Sequence, residues 1–73
     1  MNQDLLTAEQ AYLAMYAFLN GHYHRSQAGD VGALLGAMQI RSNGMPMDPA
    51  FAGDWQEAVQ NALAGKVDAT IKV

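Results

Sequence analysis

Between Thr7 and Tyr23 apolar residues recur at helical spacing. Ala8, Ala11, Tyr12, Met15, Phe18, Leu19 and Tyr23 fall on one side of a wheel drawn at the α-helical pitch. Thr7 and Gln10 have the spacing of a capping box, in which a hydroxyl and an amide satisfy orphan backbone donors and so mark a helix start. Leu6 stands where a hydrophobic staple onto the first turn would begin. Gly21 weakens the last turns, but Tyr23 continues the stripe, so the helix is expected to run through it and stop in SQAGD. Leu13 and Ala17 project from the opposite side, among Glu9, Gln10 and Asn20. They form a second, weaker apolar strip that the rest of a small chain would struggle to cover.

Asp30 is placed to cap a second helix, VGALLGAMQIR, with Val31, Leu34, Leu35 and Met38 on one face. Each interior glycine there costs about 1 kcal/mol against alanine. Gly32 and Gly36 lie one turn apart, and their missing side chains would let another helix approach closely. Ser42-Asn43-Gly44 is a stop signal, Met45 and Met47 suggest a flap over the core, and Asp48-Pro49 is a cap and first-turn pair. Beyond it Phe51, Trp55, Ala58, Val59, Ala62 and Leu63 mark the buried face of the most cleanly amphipathic segment, which Gly65 ends. Trp55 reads as a core anchor whose indole nitrogen needs a polar partner, with an interface anchor as the alternative. The tail KVDATIKV alternates as a strand would, but with no second strand signal to pair with it.

The expectation is therefore an all-α protein. It would be a compact three-helix bundle with helices at about 7–24, 30–41 and 49–64, as a single domain over 1–73. The ordered core would span about 6–65, followed by an extended or disordered tail at 66–73. Its expected core is Met15, Phe18, Leu19, Leu34, Leu35, Met38, Phe51, Trp55, Val59 and Leu63. A chain of 73 residues holds one small core, which rarely contributes more than about 3–5 kcal/mol. With no cysteine to form disulfides, self-association is the common remaining route to stability.

Charge narrows the function classes. Seven acids against four bases give a net charge of −3, and Arg25, Arg41, Lys66 and Lys72 form no basic patch. Binding to phosphate backbones ordinarily needs such a patch, so nucleic acid is not an expected partner. The second helix, read as the recognition helix of a helix-turn-helix, offers only Gln39 and Arg41 to bases. No signal peptide follows Met1 to Asp4, and the apolar run Ala11 to Leu19 falls well short of the roughly 20 residues that cross a bilayer. A soluble, cytoplasmic protein is expected, with no membrane partner.

Chemistry is sparse. His22 and His24 are two apart, so on a helix they point to different sides rather than at one metal. Asp30 and Asp48 are accounted for as caps, Asp54 and Glu57 as a solvated face, and Ser26 and Ser42 lack a nucleophile motif. GDVG is too short for a phosphate loop. No catalytic residue, cofactor, metal site or small-molecule substrate is expected.

The segments QAYLAMYAFLNGHYHR, VGALLGAM and DPAFAGDWQEAV together resemble a group of small, poorly characterised bacterial all-helical proteins. Some of that group are thought of as immunity-type partners of polymorphic toxins. The resemblance implies a bacterial origin and a binding role, and carries no catalytic residue across. The leading expectation is a non-enzymatic protein-interaction module, with an immunity-type or inhibitory role. It would present Gln10, Leu13, Ala17 and Asn20 on the first helix, with Gly32 and Gly36 as a close-approach surface on the second. A homodimer whose second copy covers the spare strip is the alternative, and a small nucleic-acid-associated regulator the second alternative.

Overall fold

Three α-helices, α1 (Ala8–Ser26), α2 (Gly29–Met38) and α3 (Ala50–Leu63), make up the regular structure of a computed structural model that describes residues 5–70. No strand occurs among the described residues. The capping box forms: the Gln10 N–H donates to Thr7 Oγ1 and the Thr7 N–H to Gln10 Oε1, both at 3.0 Å. Leu6 remains 59% exposed and no staple forms, because the position it would grip is only an alanine, Ala11. At the far end α1 stops within SQAGD, as expected, at Ser26. Gln27 ends it in the left-handed region, φ 56°, where its N–H reaches the Tyr23 carbonyl at 2.7 Å.

α2 departs from expectation at both ends. It starts one residue before Asp30, with Ala28 as the boundary residue and no side-chain cap. Asp30 therefore sits inside the first turn, where its negative charge complements the positive end of the helix dipole without capping it. It stops at Met38 rather than Arg41, because its last carbonyls find better partners than further helix would give. The Asp48 N–H donates to Ala37 O, the Tyr12 hydroxyl to Met38 O and the Met47 N–H to Gln39 O, at 3.1, 2.8 and 2.8 Å. Gln39 to Met47 then folds into a small hairpin with an antiparallel bridge between Ile40 and Pro46. Gly44 turns it at φ 84°, and the Arg41 N–H closes onto Met45 O at 2.7 Å. The boundary of α3 falls at Pro49, one residue after the expected cap, and the Asp48 carboxylate accepts the Ala50 N–H at 3.1 Å just outside it.

α1 packs against both other helices, more extensively against α2. The arrangement is somewhat extended: the radius of gyration is 13.8 Å, where a folded chain of this length averages about 11 Å. Among the described residues Tyr12, Leu35 and Met38 are the buried hydrophobic ones, with Pro46 also buried. Met15, Leu19, Phe51, Trp55 and Val59 are half-buried. Phe18, Leu34 and Leu63, assigned to the core from their periodicity, are 72%, 39% and 77% exposed. α3 meets the first turn of α1, where the Trp55 indole N–H donates to the Ala8 carbonyl at 3.0 Å. Phe18 lies about 15 Å further along α1, beyond that crossing. Met45 and Met47 stay largely exposed, and the residue plugging the core from the hairpin is Pro46. The tail residues 66–70 carry no regular structure and are exposed, and the rest of the tail lies outside the described residues.

The two glycines of α2 have different surroundings. A Cβ on Gly32 would lie 2.8 Å from Tyr23 Cε1, so the absent side chain admits the Tyr23 ring from α1, whereas Gly36 has nothing within 4 Å. Gly36→Ala should raise stability by about 0.5–1 kcal/mol in urea unfolding, the ordinary gain for an open helical position. Gly32→Ala should show none of that gain, because the Tyr23 ring must move aside, and should recover it in a Tyr23→Ala background.

Candidate docking groove

α1, the hairpin and α3 leave an open, largely apolar depression between them. Its base is the Tyr12 and Trp55 pair, whose rings meet edge-on at 5.4 Å and 86°. Each ring is fixed by a hydrogen bond across the fold, Tyr12 to the end of α2 and Trp55 to the start of α1. Leu13 and Glu9 form the α1 wall, Ile40, Gly44, Met45 and Pro46 the hairpin wall, and Ala52 and Gln56 the α3 wall. The depression holds about 390 Å³. A second depression of about 350 Å³ shares Tyr12, Leu13 and Ile40 and extends along α1 to Tyr16, Met38 and Gln39.

The groove is greasy where it is open. Leu13, Ile40 and Met45 are 56%, 47% and 40% exposed. Glu9 is the one charged side chain along the larger depression. Burial raises the pKa of the Tyr12 phenol above its ordinary 10.0 by desolvation, and its hydroxyl proton is committed to the Met38 carbonyl. No buried side-chain nitrogen or oxygen among the described residues lacks a partner. A groove of this kind can bury apolar side chains of another molecule, and it brings no nucleophile and base together.

Of the six residues assigned from the sequence to a partner surface, Leu13 lines the groove and the other five do not, while Trp55 and Met45, read as an anchor and a flap, also line it. Gln10 is exposed, but its side chain is engaged in the capping box. Ala17 is exposed and Asn20 half-buried further along α1, while Gly32 faces Tyr23 and Gly36 stands open on α2. The contributions that periodicity missed are Ile40, Met45 and Pro46. Their signal was the Asn43-Gly44 pair set between Ile40 and Met45-Pro46, a turn pattern that suits a hairpin as well as a helix stop. His22 and His24 are both exposed, and no group of three or more potential ligands that could hold a metal ion is present among the described residues. None of the helices is long and apolar enough to cross a membrane. Comparison of the chain with protein-family models, with curated proteins and with solved structures finds no match.

Proposed function

We propose that this chain is a non-enzymatic protein-interaction module, acting in the bacterial cytoplasm, whose contact surface is the groove between α1, the hairpin and α3. The observation that carries the reading is the groove itself. Leu13, Ile40 and Met45 stand open around a rigid Tyr12 and Trp55 base, with a single carboxylate, Glu9, at the edge. Contiguous exposed apolar surface rimmed by polar groups marks places where another molecule docks, protein partners among them. The resemblance to immunity-type proteins supports an inhibitory complex as the setting. No cofactor, metal or nucleic acid enters this reading.

The test is a photo-crosslinking residue placed at Leu13, and for comparison at the exposed Glu57 on α3, in the cells that make the protein. A discrete protein adduct from position 13 and none from position 57 is the expected result. A folded protein that gives no adduct at position 13 removes the proposal.

A further inference from the structure

We propose that Asn43 is a site of spontaneous covalent modification, deamidation through a succinimide, and that the fold confines this reaction to the hairpin. The chain contains two Asn-Gly pairs, Asn20-Gly21 and Asn43-Gly44. In such a pair the backbone nitrogen of the glycine can attack the side-chain carbonyl of the asparagine, and a residue without a Cβ leaves that approach unhindered. The two pairs have the same letters, and the structure sets them apart.

Asn20-Gly21 lies inside α1, with both residues half-buried. There the Gly21 N–H belongs to the helical ladder and the turns on either side fix the backbone angles of Asn20, so the ring cannot close without unwinding the helix. Asn43-Gly44 stands at the tip of the hairpin, where residues 41–45 are all exposed. A Cβ on Gly44 would meet nothing within 4 Å, so the turn is open to water and base. Asn43 Oδ1 accepts the Met45 N–H at 2.9 Å. That donor draws electron density from Cγ and meets the negative charge that develops on the oxygen during attack. One bond restrains the step: the Gly44 N–H donates to Arg41 O at 2.8 Å, and the nitrogen must give up that hydrogen before it attacks. Exposed turn bonds open far more readily than a helix packed on its neighbours.

Base removes the Gly44 amide proton, the nitrogen bonds to Asn43 Cγ, and the side-chain nitrogen leaves as ammonia, taking up the proton that the base removed. Water then opens the succinimide. Cleavage of the new bond to Cγ gives aspartate on the original main chain, whereas cleavage at the backbone carbonyl gives isoaspartate, whose main chain runs through Cβ and Cγ. Either product places a carboxylate next to Gly44, on the hairpin wall of the groove. Isoaspartate also adds a methylene to the main chain between Arg41 and Met45, the residues whose 2.7 Å bond closes the hairpin.

The experiment incubates the full folded chain in mildly alkaline buffer, with a parallel series in urea. Site-resolved peptide mass mapping follows the exchange of NH2 for OH at each asparagine, and circular dichroism confirms that the first series stays helical. In the folded protein Asn43 should convert at least about tenfold faster than Asn20, because the ladder holding Gly21 opens only with its helix. In urea the two rates should converge. Asn43→Gln, at an exposed position and with a side chain one methylene too long for the five-membered ring, should remove the fast step and leave Asn20 as slow as before. Equal rates at the two positions in the folded chain overturn the proposal, as does an Asn43 that stays intact in the folded chain while the unfolded chain converts. If Asn43→Gln does not fold, the wild-type series decides, since both positions are read in the same molecule.

Discussion

Tyr12→Ala should leave the chain largely unfolded at 25 °C, with its helical circular dichroism lost rather than its melting point merely lowered. Removing a buried aromatic side chain costs about 3–5 kcal/mol, which is about what a core of this size contributes altogether. Tyr12 is 6% exposed and is the residue through which the three helices meet. Its hydroxyl satisfies the last carbonyl of α2, and its ring edge locks Trp55, whose indole in turn holds the first carbonyl of α1. Tyr12→Phe separates the parts. It keeps the packing and strands the Met38 carbonyl, so about 1–3 kcal/mol should be lost and a weakened fold should remain.

The same substitution gives a pH signature. Because burial raises the Tyr12 pKa above 10.0, the folded state holds a proton that the unfolded state releases first. The stabilisation from this group is therefore complete below about pH 10 and is lost as pH climbs through the higher folded-state value. Urea midpoints measured at neutral pH and above pH 10 should converge between wild type and Tyr12→Phe as the pH rises. A constant difference between the two proteins would mean that the phenol is not held in the folded core.

Much of this architecture could be read from the residues, and the limits of that reading have physical causes. Thr7 and Gln10 identify the start of α1 because a capping box is a local arrangement, complete within four residues. Periodicity placed Leu35, Met38 and Trp55 on inward faces for the same reason. It failed for Phe18 and Leu63 because a helical wheel says which side of a helix is apolar and nothing about how far a neighbouring helix extends along it. α2 ends early for a reason outside its own residues, since its final carbonyls are claimed by Tyr12 and by the strand-like return through Met47 and Asp48. The groove was half legible. Leu13 follows from the spare strip of α1, but the facing wall depends on Ile40 and Pro46 being bridged across a turn whose letters also suit a simple helix stop.

Met38→Ala should cost about 2–5 kcal/mol, the range for truncating a buried long apolar side chain. Phe18→Ala, a larger truncation, should stay within about 0.5 kcal/mol. Counting apolar residues at helical spacing would rank these two positions alike, so the pair tests the helix arrangement rather than the helices themselves. Met38 is 1% exposed, at the end of α2 where Tyr12 reaches its carbonyl, while Phe18 is 72% exposed. Met38→Leu, nearly equal in volume, should cost under about 1.5 kcal/mol, which separates lost packing from lost sulfur. Peroxide tests the same ranking without mutation, since oxidation of methionine follows exposure. Met45 and Met47, at 40% and 51% exposed, should be converted to sulfoxide well before Met38 in the native protein, and urea should abolish the difference. If Met38 oxidised as fast as Met47 in the folded chain, α2 would not be docked on Tyr12, and the groove that depends on that contact would have no fixed base.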